Sequence, residues 1–190
     1  LYPEVMDAGQ VSTYTNLSPY ALALIGDETR RDRALLPRSD VMPWLTPGDA
    51  GVFPGDDFTW SLLESYCNGA RGVYFWSSRV WDAESLVAYN RAIRAIAPVE
   101  EVIVDGQLVG DAAQIEGEGR VSGMRRGNEM ALLVADYAAR TSGALRVKLN
   151  LPARAELRDL MSGEVLSQEL PRGEQTITIP LNGEKARLLH

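Results

Sequence analysis

Aromatic, acidic and polar residues recur in this sequence where predicted strands give way to loops. A flat aromatic ring can stack on the apolar C–H face of a sugar, and a pair of carboxyl groups can carry the acid and the nucleophile or base of glycoside hydrolysis. Placed together, these residue types could therefore bind a sugar and act on it. The residues found at such strand ends are Tyr14, Asn16, Trp44, Asp49, Trp76, Arg79, Trp81 and Asp82.

Several of these residues also have a structural explanation. Asp82 directly precedes a predicted helix and would cap it, and Asp49 lies in the segment PGDAG, where an aspartate often closes a turn. Trp76 could instead pack at the rim of the sheet. Asp7 and Asp49 are the candidates for a catalytic carboxylate, and Asp7 is either an acid at the end of a strand or part of a lead-in loop. The sequence contains no convincing catalytic pair.

The residue inventory restricts the chemistry further. His190 is the one histidine and Cys67 the one cysteine, which excludes Ser-His-Asp and Cys-His catalysis and histidine-based metal sites. A formal net charge of −7 argues against a nucleic-acid partner, because phosphate contacts need clustered Lys and Arg. No Gly-rich phosphate loop follows a strand, and no cofactor is expected. No apolar run reaches the roughly 18 residues of a membrane span, so no membrane partner is expected.

The first half of the chain alternates between strand and helix patterns. Predicted strands at Gln10–Thr15, Asp40–Leu45 and Gly72–Trp76 are each followed by a helical pattern, which indicates parallel βαβ units. The third strand is nearly continuous in apolar character, as strands buried on both faces are. Glu64 falls inside the second helix, where it is expected to face solvent or a neighbouring helix.

The second half changes to short strands separated by turn signals. The segment VEEVIVDG is interpreted as the first of these strands. Gly127-Asn128, Ser162-Gly163 and Asn182-Gly183 occupy hairpin positions. This spacing is typical of a small antiparallel β-sandwich. The predicted fold is therefore α/β followed by all-β, with domains at residues 1–100 and 101–190.

Two segments resemble the C-terminal portion of glycoside hydrolases that combine a (β/α)8, or TIM, barrel with a β-sandwich. One reads GARGVYFWSS and is similar to the eighth barrel strand of many such enzymes. The resemblance implies that Trp76 forms the floor of the sugar site. The other is similar to the terminal sandwich of amylase- and galactosidase-like proteins and reads AELRDLMSGEVL with ITIPLNGEKARLL. Because a barrel needs roughly 250 residues, about five strand–helix units would lie upstream of Leu1.

One departure from the resemblance concerns the nucleophile. In the largest clan of retaining barrel glycosidases the seventh strand ends in a glutamate, whereas the matching segment here, VMPWLTPGD, has none. Either the family places its carboxylates on earlier strands or the barrel is not catalytic.

Three hypotheses about function follow. The leading one is a carbohydrate-active hydrolase, to which this chain supplies part of the sugar-binding wall and the accessory β-sandwich. The second is a non-catalytic carbohydrate-binding or structural module that completes its barrel with another chain. The third is a flavodoxin-like domain, against which the missing phosphate loop counts. The expected partners are a carbohydrate and either a missing N-terminal barrel segment or another protein chain. Because the chain opens on Leu1, as a processed product or a piece of a longer protein would, its localisation stays open.

Overall fold

The computed structural model of the chain describes residues 7–12, 20–47, 55–75 and 81–190. The chain divides into two compact units, an N-terminal unit (Leu1–Arg94) and a C-terminal unit (Ala95–His190). Within the described ranges, no helix is long and apolar enough to cross a membrane.

The N-terminal unit is a mixed α/β structure in which strands and helices alternate. Its three strands pair in parallel in the order β1-β2-β3. The elements in chain order, the last of which extends two residues beyond Arg94, are β1 (Ala8–Ser12), α1 (Ala21–Leu35), β2 (Asp40–Leu45), α2 (Asp56–Cys67), β3 (Tyr74–Phe75) and α3 (Ala83–Ile96).

The two faces of this parallel sheet differ in burial. Val41 and Leu45 of β2 are fully buried, and both α1 and α2 contact this strand. Met42 and Trp44 alternate with them, lie on the other face and are half-buried. The prediction that the third strand is buried on both faces is wrong at Tyr74, which is 36% exposed. The reason is its place on the face of Trp44, away from the side that the helices bury.

Helix α2 is buried around most of its circumference. Phe58, Trp60 and Leu62 are fully buried hydrophobic residues of this helix, as expected for an element with neighbours on several sides. Glu64 does not face solvent, because its side chain is also fully buried and accepts a hydrogen bond from the Asn68 amide at 2.9 Å.

Asp82 is the cap of α3. Its Oδ1 accepts a hydrogen bond from the backbone N–H of Ser85 at 2.7 Å, which satisfies one of the free donors at the helix start. The structural explanation of this residue is therefore confirmed.

The C-terminal unit begins with a helix that the sequence pattern misassigned. The segment VEEVIVDG was predicted as a strand, but it forms α4 (Glu100–Asp105) after a short 3-10 helix (Ala97–Val99). Val99, Val102 and Ile103 are buried. Their spacing of three and four positions is the helical period, and it prevails over the β-propensity of valine and isoleucine.

The rest of the C-terminal unit consists of antiparallel strands. They form three sheets in the orders β12-β7-β6-β4, β11-β8-β5 and β10-β9. The strands are β4 (Gln107–Leu108), β5 (Ala113–Glu116), β6 (Arg120–Arg126), β7 (Glu129–Ala135), β8 (Ala144–Leu151), β9 (Ala155–Arg158), β10 (Val165–Leu170), β11 (Gly173–Pro180) and β12 (Ala186–Leu189).

One hydrophobic core joins these sheets. Leu132 and Val134 of β7 meet Val147 and Leu149 of β8 in it, and Leu157 of β9 belongs to the same cluster. All five side chains are buried. The sheets of the C-terminal unit therefore cover one another instead of each facing solvent.

Two of the three predicted hairpin turns join strands of one sheet. Gly127-Asn128 connects β6 to β7, and Ser162-Gly163 lies in the connection from β9 to β10. The third prediction is wrong as a hairpin, because Asn182-Gly183 links β11 to β12 and these strands belong to different sheets. Both residues adopt positive φ, 53° and 85°, which permits a tight turn. This turn connects strands of two different sheets rather than neighbours in one sheet.

Candidate functional site

An aromatic pair lies at the carboxyl end of the parallel sheet. Trp44 of β2 and Tyr74 of β3 are register partners, and their rings stack with centroids 5.3 Å apart at an interplanar angle of 27°. Tyr74 is 36% exposed and Trp44 is half-buried. The pair therefore presents aromatic surface to the outside at the sheet edge where α/β folds place their ligands.

The register of the strands explains why these two rings meet. Partner residues on adjacent strands point to the same face, and residues two positions apart on one strand share that face. Met42 is thus on the side of Trp44. A Cβ at Gly72 would lie 3.2 Å from the Met42 sulfur, which is a tight contact. The glycine therefore makes room for the Met42 side chain. Met42 and Gly72 form the apolar surface next to the pair.

Trp81 has a different environment. It packs edge-to-face against Phe75 at a centroid distance of 4.7 Å, against Tyr89 at 5.6 Å and against Phe58 at 5.8 Å. Edge-to-face packing of this kind stabilises a core by roughly 0.5–1.5 kcal/mol per ring pair. The contacts that Trp81 makes are therefore packing contacts, and its predicted contact with a sugar stays a prediction.

The acidic candidate Asp7 lies at the opposite end of the sheet from the aromatic pair. It directly precedes β1, its backbone carbonyl accepts a hydrogen bond from the N–H of Asp40 at 2.9 Å, and its side chain is exposed. Asp7 therefore lies ahead of β1. A strand that would end at Asp7 falls on residues outside the described part of the chain, so its role as an acid stays a prediction.

Two aspartates near the starts of the helices are already engaged. Asp56, in the first turn of α2, pairs with Arg91 at 2.7 Å, and Asp82 caps α3. Both interactions favour a structural role for these carboxylates.

Five of the predicted site residues lie outside the described part of the chain, and their roles stay predictions. One functional candidate, Tyr74, was missed. Strand periodicity contained the signal, since counting back two positions from Trp76 in a strand selects Tyr74 for the same face. The five are Tyr14, Asn16, Asp49, Trp76 and Arg79.

Two titratable groups of α2, Tyr66 and Cys67, belong to its packing surface. Burial, and then the charge of Glu64, raise the pKa of the Cys67 thiol well above its usual range. Burial, and then the neighbouring Tyr89, raise the pKa of Tyr66 to about 12. Both groups are therefore kept neutral near pH 7. Among the described residues, no three His, Cys, Asp or Glu side chains are grouped so that they could hold a metal ion.

The C-terminal unit contains a cavity of about 350 Å³. No Trp, Tyr or Phe side chain lines it, so it lacks the extended flat surface on which a sugar would stack; the one ring in its lining is the imidazole of His190. Six leucines line it together with Met130 and Ala155: Leu132, Leu149, Leu151, Leu157, Leu170 and Leu189.

The chain has structural neighbours among solved glycoside hydrolases. An α-fucosidase from Thermotoga maritima matches 81% of this chain and 40% of its own, with a TM-score of 0.52 and 14% identity. The α-galactosidase I from Mortierella vinacea matches 91% of this chain and 44% of its own, with a TM-score of 0.52 and 12% identity. A maltogenic α-amylase from Thermotoga neapolitana matches 86% and 44%, at a TM-score of 0.51 and 12% identity.

No protein-family model matches the chain, and no curated protein matches it. At these identities the neighbours establish the fold. The chain spans less than half the length of each of them. It therefore has the fold of one part of a TIM-barrel glycoside hydrolase, and this part resembles the C-terminal portion of such a chain.

Proposed function

We propose that the chain is the C-terminal part of a carbohydrate-active hydrolase and that its aromatic pair, Trp44 and Tyr74, forms part of the wall of the sugar site. On this proposal β1, β2 and β3 are the last three strands of a (β/α)8 barrel. Residues 1–100 belong to the barrel, and residues 101–190 form an accessory β-sandwich. The catalytic carboxylates would come from strands upstream of Leu1.

The observation that carries this proposal is the position of the aromatic pair. Two stacked rings lie side by side at the carboxyl end of parallel strands, on the face that α1 and α2 do not cover. In a barrel the face away from the helices is the interior, and its carboxyl end is where active sites are built. Flat, partly exposed rings at that point suit the apolar face of a sugar.

The neighbours narrow the ligands worth testing. They are an α-fucosidase that was also solved with fucose, an α-galactosidase and a maltogenic amylase. We therefore expect the chain to bind a monosaccharide or a short α-linked sugar in the millimolar range, because it holds one wall of the site.

The test is a titration of the 190-residue chain with L-fucose, D-galactose and maltose, followed by tryptophan fluorescence and calorimetry. At least one sugar should change the fluorescence, and Trp44→Ala should weaken its binding about tenfold, which is the worth of one stacking contact. Tyr20→Ala is the matched control, because Tyr20 is 58% exposed but precedes α1 and is remote from the pair in sequence. Binding that is absent at about 100 mM sugar, far above the expected millimolar dissociation constant, or equally weakened by both variants, contradicts the proposal.

A second candidate function is a non-catalytic module that completes its barrel with another chain. It is favoured because two carboxylates near the starts of helices have structural partners instead of free side chains: Asp56 pairs with Arg91, and Asp82 caps α3. Hydrolysis of nitrophenyl glycosides separates the two functions: a full-length protein that binds sugar but leaves every nitrophenyl α- and β-glycoside intact would be such a module.

A further inference from the structure

The cavity of the C-terminal unit lies where its three antiparallel sheets meet. Its wall takes side chains from β7 and β12 of one sheet, from β8 of the second, and from β9 and β10 of the third. The apolar lining residues all belong to the hydrophobic core of the unit or pack against it. Because Leu149 and Leu189 are almost completely buried, the cavity extends into this core and is not a shallow depression of the surface.

The cavity is large for a space inside a core. Protein interiors normally contain few voids larger than a water molecule, and an unfilled void lowers stability in proportion to its volume. An apolar cavity of about 150 Å³ stays free of water and takes up benzene, a ligand of six carbons. The cavity here measures about 350 Å³. It therefore has room for an aliphatic chain of about eight to ten carbons.

The buried lining of the cavity selects an apolar group. It consists of leucine and methionine side chains, which offer no strong hydrogen-bonding partner. A sugar hydroxyl or an ionised group would lose its hydrogen bonds to water there without replacement. A saturated hydrocarbon chain loses none and gains from its removal from water. The interior therefore suits an alkyl chain.

The mouth of the cavity carries charges that already have partners. Arg158 pairs with Glu156 at 2.8 Å, and Arg154 pairs with Glu169 at 2.7 Å. An anionic head group would have to displace one of these carboxylates, whereas an uncharged hydroxyl can accept from an arginine or donate to a glutamate beside the existing pair. The exposed or partly exposed polar residues that mark the mouth are Asn128, Glu129, Arg154, Glu156, Arg158 and His190.

We infer that this cavity is a binding site for a neutral single-chain amphiphile. Its alkyl chain of about eight to ten carbons fills the leucine-lined interior, and its hydroxyl head lies at the charged mouth. A primary aliphatic alcohol is the simplest ligand of this class. The inference does not rest on the proposed function, because every lining residue lies between positions 128 and 190, in the C-terminal unit.

Titration of the 190-residue chain with 1-octanol tests the site, followed by calorimetry and by the leucine methyl signals in NMR spectra. We expect saturable binding with a dissociation constant below about 1 mM. Nuclear Overhauser effects should join the alkyl chain to the methyl groups of Leu149 and Leu189. Leu133 and Leu188 are the internal control, because they are equally buried in the same unit but do not line the cavity.

Two further ligands test the head group. Sodium octanoate and octylammonium chloride have the same number of carbons as 1-octanol but carry a charge. Both should bind at least about fivefold more weakly, because the charged head must leave bulk water for a mouth whose ions are already paired. Binding of octanoate or octylammonium more tightly than 1-octanol would overturn the assignment of a neutral ligand.

A variant that fills the cavity tests its location. Ala155 lines the cavity and is the register partner of Leu170, so the two side chains lie on one face of their sheet. Ala155→Phe places a ring in the space and should weaken 1-octanol binding at least about tenfold. Val104→Phe is the matched control, since it adds the same ring at an exposed position of α4 that does not line the cavity. It should leave the affinity unchanged within about twofold.

Three results would overturn the inference. They are the absence of saturable 1-octanol binding, methyl contacts to Leu133 and Leu188 without contacts to Leu149 and Leu189, and equal weakening by the two phenylalanine variants. Circular dichroism shows whether each variant is folded. If Ala155→Phe fails to fold, the methyl contacts in the native chain decide the location without it.

Discussion

Trp44 and Tyr74 stack across two neighbouring parallel strands, and this contact links the carboxyl ends of β2 and β3. Each ring restricts the rotamers of the other, so the pair is ordered before any ligand arrives. Ordering side chains in advance removes an entropic cost that binding would otherwise include, about 0.5–1.5 kcal/mol for each flexible side chain.

The first prediction concerns the second ring of this pair. Tyr74→Ala removes a stacking surface and frees the Trp44 ring, so we expect sugar affinity to fall about five- to tenfold. Tyr74→Phe keeps the ring and should retain affinity within about twofold if stacking is what matters. Calorimetric titration of both variants checks this. Equal losses in both would instead assign the binding to the phenolic hydroxyl.

The second prediction concerns a buried ion cluster in the C-terminal unit. The Arg187 guanidinium is 4% exposed and donates hydrogen bonds to Asp159, at 2.5 Å, and to the Pro180 carbonyl at 3.0 Å. Asp159→Ala leaves this charge buried with one partner fewer, and we expect it to lower the free energy of unfolding by about 3–5 kcal/mol. Urea unfolding followed by circular dichroism measures the change.

The control for this experiment is an ion pair of the same unit at the surface. Arg154 and Glu169 pair at 2.7 Å with side chains 73% and 59% exposed. Because water screens such a pair, Glu169→Ala should change the free energy of unfolding by less than about 1 kcal/mol. A similar effect of Asp159→Ala would show that burial adds nothing to the Arg187 cluster.

The third prediction is a loss of stability in acid that depends on Asp136. Partial burial opposes ionisation of this carboxylate, but the backbone N–H groups of Arg140 and Thr141 donate to it at 3.0 and 2.7 Å, and its pKa is lowered. A lowered pKa in the folded state stabilises the protein above the unfolded pKa of about 3.9. This stabilisation disappears as the pH falls through the folded pKa.

Unfolding free energies measured between pH 7 and pH 2.5 test this dependence. We expect Asp136→Asn to lower the free energy of unfolding at neutral pH by about 1–2 kcal/mol. The reason is that the amide nitrogen of asparagine cannot accept one of the two backbone hydrogen bonds that the carboxylate oxygens accept. The difference from the native chain should shrink below pH 4. Asp105→Asn, at an exposed position, serves as the control. A difference that stays constant over the whole range would exclude a contribution from ionisation.

The fourth prediction concerns Cys67. Burial and the charge of Glu64 raise the pKa of its thiol, and the side chain is fully enclosed. Because the thiolate is the reactive form, a disulfide reagent should leave Cys67 untouched in the folded chain at pH 8. Reaction should follow denaturation in urea. Rapid modification without denaturant would mean that α2 opens readily.

The sequence predicts most elements of the N-terminal unit because their patterns are local. The bounds of β2 agree with the predicted strand Asp40–Leu45, and the apolar pattern of α2 agrees with its burial. The segment of α4 was misassigned because valine and isoleucine favour strands, while the spacing of Val99, Val102 and Ile103 is helical. Spacing was the better guide there.

The candidate site depends on contacts that single positions do not reveal. Tyr74 is adjacent to Trp44 because of strand register, which follows from the packing of the whole sheet. The environments of Trp81 and Glu64 could not be assigned from residue type either. Trp81 packs in an aromatic cluster, and Glu64 accepts a hydrogen bond from a buried amide. Tertiary contacts decide whether such residues face a ligand or the interior.

Strand β12 determines how the C-terminal unit can fold. It pairs with β7 although β8 to β11 lie between them in the chain, and on its other side Arg158 and His190 exchange two backbone hydrogen bonds of 2.7 and 2.8 Å. Contacts between distant segments form late, because closing long loops costs entropy first. Refolding of this unit should therefore be slow and cooperative. The pairing of β12 with β7 is expected to be the late step that completes the packing of the sheets.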